Sequence, residues 1–289
     1  MSTNDKATGV ETKPPREIIV RQTKCKTILN PSGISDYCLN CYTGCEHGCL
    51  YCYARFMQRF HPHPEPWGEF VDVKVNAVEV LERQLRRAKP GEVFVSSACD
   101  GWQPLEADWK LTRRCCELLL EHGFRLDILT KSALVLRDLD IFSGRTARIG
   151  VTVTTLDERL RRLWEPKGSS VEERFRVIEK AHHAGLKTAV MFGPLLPFLS
   201  DSQESINFMF ERAADLAINM IWVDALNPRP KVWPSVADLL RKHFPDLRER
   251  YGRILFEARA REAYLARLRT RVTRAATRCT LSNRTTLCF

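Results

Sequence analysis

From about residue 70 onward, stretches with helical spacing of apolar residues alternate with short apolar, β-branched runs. The first stretch predicts a helix over 76–89, with Asn76 as its N-cap. The same spacing predicts further helices over 111–123, 134–141, 171–185 and 204–217. The runs between them predict buried strands over 93–97, 126–130, 149–154, 186–197 and 219–228.

This alternation of strands and helices predicts an α/β fold in which parallel strands are joined by right-handed crossovers. With a first strand just before the cysteine-rich stretch at residue 38, there are about six strand–helix units, too few for a closed eight-fold barrel. An open partial barrel and a doubly wound sheet both fit this count. In either fold, ligands bind at the carboxyl ends of the strands.

The two ends of the chain differ from this central region, which we place at 21–234. Residues 1–20 are polar and predict a flexible segment. Residues 235–289 predict a helical extension that is strongly basic: from Arg241 onward it has 13 Arg and Lys against 4 Asp and Glu. The net charge of +10 therefore comes mostly from this extension, and it favours a polyanionic partner such as nucleic acid. The alternative is an ordinary solvated helix packed by Leu265, Leu268 and Val272.

The N-terminus lacks the apolar core of a secretory signal, and no segment has the roughly 18 consecutive apolar residues that a membrane span needs. We therefore expect a cytoplasmic protein without membrane contact. Eleven cysteines in that compartment indicate metal binding or thiol reactivity rather than disulfides.

Five of these cysteines lie between residues 38 and 52, at Cys38, Cys41, Cys45, Cys49 and Cys52. The two C-x2-C pairs are separated by only seven residues, whereas zinc ribbons need roughly 12–20, so a zinc site is disfavoured. Three close thiolates suit a cubane cluster better, because each thiolate can hold one iron. The fourth iron then has an open position for a substrate or cofactor.

The stretch C-E-H-G-C-L-Y-C, residues 45–52, resembles the signature of the radical S-adenosylmethionine (SAM) superfamily. The resemblance implies that Cys45, Cys49 and Cys52 hold a [4Fe–4S] cluster whose open iron binds the methionyl group of SAM. It also implies reductive cleavage of SAM to a 5′-deoxyadenosyl radical, with an electron donor such as flavodoxin or ferredoxin. Tyr51 would pack against SAM. The implied fold is a partial (β/α)6 TIM-type barrel of the radical SAM type.

A narrower resemblance, to the spore photoproduct lyase-like (DNA repair photolyase-like) group, covers residues 25–232. It rests on the cysteine stretch and on strand-end motifs at 96–106, 128–132, 151–166 and 193–201. The chain departs from that group at Cys41, where proline is usual, and at 99–102, where Thr-Asp-Pro-Tyr is usual.

Polar side chains at the strand ends are the candidates for holding SAM. By the resemblance, Ser96, Ser97 and Asp100 would support the methionyl amine. They could equally cap a strand-to-helix turn.

Two further strands offer candidates of the same kind. Lys131 would bind the SAM carboxylate, although a lysine at a strand end can also be solvated. Thr152 and Thr154 share one face of a strand and would hydrogen-bond the carboxylate or ribose, unless they reflect only the β-propensity of threonine.

Other residues near the cysteines have more open roles. The resemblance suggests Tyr53 and Cys99 as a hydrogen-atom relay, a hypothesis that requires Cys99 to lie near SAM or the substrate. His47 is interpreted as a loop-shaping or exposed residue rather than a ligand. Cys115 and Cys116 lie within a predicted helix beside apolar residues and are interpreted as core thiols.

Five cysteines have no assigned role after this, and a second iron–sulfur cluster could join them. The alternative is a set of free thiols. The residues concerned are Cys25, Cys38, Cys41, Cys279 and Cys288.

The leading hypothesis is thus a radical SAM enzyme of the spore photoproduct lyase-like group, with nucleic acid as candidate substrate. Two alternatives stay open: radical SAM modification of a protein or small molecule, and a non-catalytic iron–sulfur regulator that binds nucleic acid.

Overall fold

The structure is a computed structural model that describes residues 18–229 and 231–289. The strands are β1 (Ile19–Thr23), β2 (Leu29–Pro31), β3 (Tyr37–Leu39), β4 (Tyr42–Thr43), β5 (Phe70–Lys74), β6 (Glu92–Val95), β7 (Arg125–Thr130), β8 (Ala147–Val153), β9 (Lys187–Leu195), β10 (Met220–Ala225) and β11 (Thr285–Leu287). The α-helices are α1 (Ala77–Leu85), α2 (Glu106–Trp109), α3 (Leu111–Glu121), α4 (Leu139–Phe142), α5 (Glu158–Trp164), α6 (Val171–His183), α7 (Gln203–Asp215), α8 (Trp233–His243), α9 (Pro245–Phe256) and α10 (Ala258–Arg278).

The main sheet has eight strands in the order β11-β10-β9-β8-β7-β6-β3-β2. All neighbours are parallel except β2 and β3, which form an antiparallel edge. Strands β3 and β6 to β10 are the six predicted ones, so the strand–helix alternation is confirmed. The first strand lies slightly later than expected, because β3 includes Cys38 and ends before the other four cysteines of the stretch. Within the described residues no ladder joins β11 to β2, and the sheet is therefore an open, partial barrel.

A second, three-stranded sheet has the order β1-β5-β4 and was not predicted. In this sheet β1 runs parallel to β5, and β4 pairs antiparallel to β5. The expected boundary at residue 20 falls inside β1, while residues 1–17 lie outside the described part of the chain. This small sheet matters because β4 leads directly into the cysteine-rich loop.

Several predicted elements are present with changed ends or a changed type. The helix expected over 134–141 is a 3-10 helix, Ala133–Asp138, followed by the short α4. Asn76 does occupy the N-cap of α1, but its side chain makes no cap bond. Instead its side chain accepts a hydrogen bond from the Cys25 amide at 2.8 Å and donates to the Cys25 carbonyl at 3.0 Å.

The C-terminal extension is mostly helical, as predicted, and it is docked onto the barrel. Helix α10 packs its apolar stripe inward, with Leu268 and Val272 fully buried. The last residues then add β11 beside β10 in parallel, a strand that the helical prediction missed. None of the helices in residues 18–229 and 231–289 combines the length and apolar composition needed to cross a membrane.

Candidate active site

The three signature cysteines lie on a loop, residues 44–52, that leaves β4 and is held in shape by two glycines. Gly44 has φ +90°, and a Cβ there would come within 2.4 Å of the Phe70 carbonyl oxygen. Gly48 has φ +62° and touches the backbone of Gly68. Both positions need glycine because an L side chain would be strained or would collide. The two glycines therefore set the path of the loop past Phe70 and Gly68.

Cys45, Cys49 and Cys52 all face one cavity of about 390 Å³ at the carboxyl ends of the barrel strands. Burial raises the pKa of all three thiols, that of Cys49 to about 12. Binding of iron would therefore have to release protons from them. Across the described residues, no three His, Cys, Asp or Glu side chains converge on a single metal position. That finding concerns a mononuclear site such as zinc, since the ligands of a cubane sit on different irons.

The opposite wall of this cavity is built from the ends of successive strands. Five of the strand-end residues that were predicted to bind SAM line this cavity: Ser96, Ser97, Asp100, Lys131 and Thr152. Sequence reasoning missed the contribution of β10, whose end places Asp224 and Asn227 on the same wall. These polar groups surround an otherwise apolar cavity, the usual form of a small-molecule site.

Lys131 lines the cavity, and among the described residues no carboxylate lies within 4 Å of its ammonium group. The Nζ atom lies 5.9 Å from the centroid of the Tyr51 ring. Burial alone would lower the pKa of Lys131, but its interactions with the acidic groups of Cys49, Glu165 and Asp100 raise it. Lys131 is therefore a cation beside the three cysteines, and among the described residues no carboxylate is bonded directly to it.

Asp100 has a different role from Lys131, because the protein itself uses its carboxylate. Its oxygens accept hydrogen bonds from the Thr130 hydroxyl at 2.6 Å and from the amide of Lys131 at 2.8 Å. His47 lies 3.4 Å away through Nδ1. Burial alone would raise the pKa of Asp100, but His47 and these hydrogen bonds lower it. The carboxylate therefore joins the cysteine loop to the ends of β6 and β7.

The turn after β6 is held by a similar set of internal bonds. Ser96 has φ +72°, a strained value for a residue other than glycine, and its hydroxyl accepts the Gly101 amide at 2.8 Å. The Asn40 side chain donates to the Ser97 hydroxyl at 2.8 Å and accepts the Ala98 amide at 2.9 Å. Both serines thus take part in bonds within the turn after β6, and both also line the cavity.

Behind the cavity wall lies a buried network that sequence reasoning missed. The Tyr51 hydroxyl bonds to Thr154 at 3.0 Å and also donates to Glu165. Glu165 in turn pairs with Arg174, and neither side chain is more than 1% exposed. Thr154 therefore orients Tyr51 from behind and does not itself line the cavity. Glu165 and Arg174 lie far from the cysteines in sequence, so no local pattern marks them.

The proposed relay residues are placed differently from each other. Tyr53 lines the cavity and donates its hydroxyl hydrogen to the Ser97 carbonyl. Cys99 is buried behind the wall, with its sulfur 4.0 Å from that of Met57. The relay stays a hypothesis, and only its tyrosine reaches the cavity. His47 is buried, so of its two interpretations the loop-shaping one is correct.

The remaining cysteines are spread across the fold. Cys38 lies on β3, and Cys41 contacts the sulfur of Cys115 at 3.8 Å. Cys279 and Cys288 lie near β11, which is separated from β3 by five strands of the main sheet. The order of strands in the sheet thus does not bring Cys38 next to Cys279 and Cys288. Cys115 and Cys116 are fully buried, which confirms them as core thiols.

Three exposed aromatic residues follow the cysteine loop, and the first of them, Tyr53, lines the cavity. The 3-10 helix Tyr53–Arg59 carries Tyr53 and Phe56, whose ring centroids are 6.5 Å apart. Phe60 follows at 6.4 Å from Phe56. The three residues are 49%, 43% and 69% exposed in chain order, so they form an apolar surface on the outside of the protein. We call these three residues the mouth surface.

Comparisons with known proteins are consistent with this geometry. The model of the Radical SAM superfamily matches residues 39–209. An uncharacterized protein of Methanocaldococcus jannaschii is 34% identical over 188 residues, which cover 64% of this chain and 71% of that protein. An uncharacterized protein of Mycobacterium tuberculosis is 29% identical over 248 residues, covering 81% and 73%.

Among solved structures, spore photoproduct lyase complexed with dinucleoside spore photoproduct matches with a TM-score of 0.68 and 14% identity, covering 93% of this chain and 82% of that one. A variant of the same lyase with bound AdoMet and dinucleoside spore photoproduct matches with a TM-score of 0.69 and 15% identity, covering 94% and 82%. At this identity the likeness is one of fold.

Proposed function

The chain belongs to the radical SAM superfamily, and we propose that it holds a [4Fe–4S] cluster through Cys45, Cys49 and Cys52 and cleaves SAM reductively. The observation that carries this proposal is that the three thiols and Lys131, which has no carboxylate partner in the described part of the chain, line one cavity. A soft trio of sulfurs suits iron. A cation beside it suits the carboxylate of an amino acid.

Each wall residue then has a physical task. Lys131 would bind the carboxylate of SAM, and Tyr51, fixed by Thr154 and Glu165, would support SAM from the side of the cysteine loop. Ser96 and Ser97 would offer hydroxyl and carbonyl oxygens to the methionyl ammonium group of SAM. The carboxylate of Asp100 is instead occupied by bonds within the protein. The reduced cluster would supply the electron that splits SAM into methionine and a 5′-deoxyadenosyl radical.

The direct test is an anaerobic turnover assay. Protein reconstituted with iron and sulfide, then reduced with dithionite in place of a flavodoxin or ferredoxin, should convert SAM to 5′-deoxyadenosine. A fully loaded cluster that forms no 5′-deoxyadenosine would contradict the proposal and favour a non-catalytic iron–sulfur regulator.

Replacing Lys131 by methionine should weaken SAM binding about 30- to 150-fold, because a charge-assisted contact worth about 2–3 kcal/mol is lost. Titration calorimetry on the reconstituted protein measures this change, with iron content as the check that the cluster is intact. Lys131→Arg keeps the charge and should lose less affinity. Equal affinities of the wild type and Lys131→Met would show that the carboxylate binds elsewhere.

We propose nucleic acid as the substrate class, on the basis of charge and the mouth surface. Arg261 on α10 donates to the Leu226 carbonyl at the cavity edge, 3.2 Å away, so the start of this basic helix lies next to the mouth. Arg259, Arg267 and Arg274 on the same helix are exposed. Arginines can follow a phosphate backbone, and exposed rings can stack on unpaired bases. A small-molecule substrate held inside the cavity would need neither feature.

Replacing Phe60 by alanine should weaken binding of a single-stranded oligonucleotide about tenfold, since stacking on one base contributes roughly 1–3 kcal/mol. Fluorescence anisotropy at low salt measures the affinity. Phe208→Ala, which removes an exposed ring on α7 outside the mouth surface, is the matched control and should change nothing. Absence of binding by the wild type at low salt would argue for a substrate of another class.

A further inference from the structure

Arg55 is a buried cation that has no acidic partner within residues 18–229 and 231–289. It lies on the 3-10 helix directly after Cys52 and is only 9% exposed. Its Nη2 donates to the Cys49 carbonyl at 3.3 Å, and its Nε has no hydrogen-bond partner among the described residues. The ionisable groups close enough to act on it are Cys52 and Cys49.

The other buried arginines of the described chain are treated differently. Arg174 pairs with Glu165, and Arg161 pairs with Glu158 at 2.7 Å. Leaving a buried charge unpaired costs several kcal/mol, which is why a carboxylate normally accompanies it. Arg55 is therefore an exception that the fold of the protein alone does not explain.

The missing counter-charge corresponds to what the proposed cluster would bring. Three cysteine thiolates around a cubane make an anionic group, and reduction adds one more negative charge at the same place. A guanidinium beside two of the three ligands would interact more strongly with the reduced form than with the oxidised form. Net charge near a cluster is one of the factors that set its reduction potential.

We propose that Arg55 is the counter-charge of the iron–sulfur cluster and that it makes the cluster easier to reduce. The proposal rests on the function proposed above, because it needs a cluster at Cys45, Cys49 and Cys52. Arg55 is a positioning residue in this role: it touches the ligand loop rather than SAM or the substrate. Its charge acts on the electron that SAM cleavage requires.

The test is a redox titration of the anaerobically reconstituted protein, followed by electron paramagnetic resonance of the reduced cluster. Arg55→Gln keeps a donor for the Cys49 carbonyl but removes the charge. We expect the ratio of reduced to oxidised cluster at a given potential to fall about tenfold, equivalent to about 59 mV for one electron. Arg55→Lys keeps the charge and should stay close to the wild type. Arg59→Gln, an exposed arginine on the same 3-10 helix, should not shift the potential.

The outcomes separate this proposal from the proposed function. A wild-type protein that assembles no cluster would overturn both. An unchanged reduction potential in Arg55→Gln would overturn the proposed role of Arg55 and leave the proposed function standing. A shift in Arg55→Lys as large as that in Arg55→Gln would do the same. If Arg55→Gln loses iron while Arg55→Lys keeps it, the charge is already needed for assembly, which supports the proposal. Loss of iron in both variants would mean that the shape of the side chain matters, and the proposal would fail.

Discussion

Replacing Cys49 by alanine is expected to remove the cluster and, with it, all cleavage of SAM. Each cysteine of a three-cysteine site holds one iron, so the loss of one thiolate leaves two irons open and the cubane without a stable anchor. Iron bound per chain after anaerobic reconstitution should fall from about four to background. Formation of 5′-deoxyadenosine should become undetectable. Iron analysis and chromatography of the products measure the two effects.

Cys288→Ser is the matched control, because Cys288 is exposed and directly follows β11, an edge strand of the main sheet that is separated from β3 by five strands. It should keep the full iron content and activity. The same measurement addresses the second cluster. About eight irons in the wild type, falling to about four in Cys288→Ser, would establish a second cubane. A Cys49→Ala protein that keeps its iron would show that the signature cysteines are not the ligands.

The sequence predicts the main sheet well because each of its central strands is a buried, β-branched run followed by an amphipathic helix. The small sheet is a harder case, since β1 and β5 are 46 residues apart and β4 has only two residues. Strand β11 is missed for a related reason: three residues at the end of a basic helical segment carry too short a pattern. Pairing between distant short strands leaves no periodic signal to read.

The candidate site divides in the same way. The cysteines and the strand-end residues are found because a motif or a strand end marks them. Glu165 and Arg174 are not, because only the folded structure brings them behind Tyr51. Arg55 is adjacent to the motif, yet its importance depends on a missing carboxylate, which a sequence does not reveal. The sequence therefore predicts most of the residues that line the cavity, but not the buried residues that hold them in place.

Replacing Glu165 by glutamine is expected to destabilise the protein by about 3 kcal/mol, because Arg174 is then left as an uncompensated buried charge. Urea unfolding of the metal-free protein at neutral pH measures this loss. Glu172→Gln removes an exposed carboxylate paired with Arg212 on the outside of α6, and should cost no more than about 1 kcal/mol. The double variant Glu165→Gln, Arg174→Met should recover part of the loss, since no unpaired charge is left inside.

The same pair predicts how stability depends on pH. Burial alone would raise the pKa of Glu165, but Arg174, Lys131 and hydrogen bonds from Arg174 and Tyr51 lower it from 4.5 to about 2. A depressed pKa means that the unfolded chain binds the proton more tightly. The contribution of Glu165, about 3 kcal/mol, is therefore complete above pH 4.5 and is lost as the pH falls towards 2. Glu165→Gln should flatten this part of the curve of unfolding free energy against pH. A variant whose stability falls as steeply with acid as that of the wild type would show that another carboxylate is responsible.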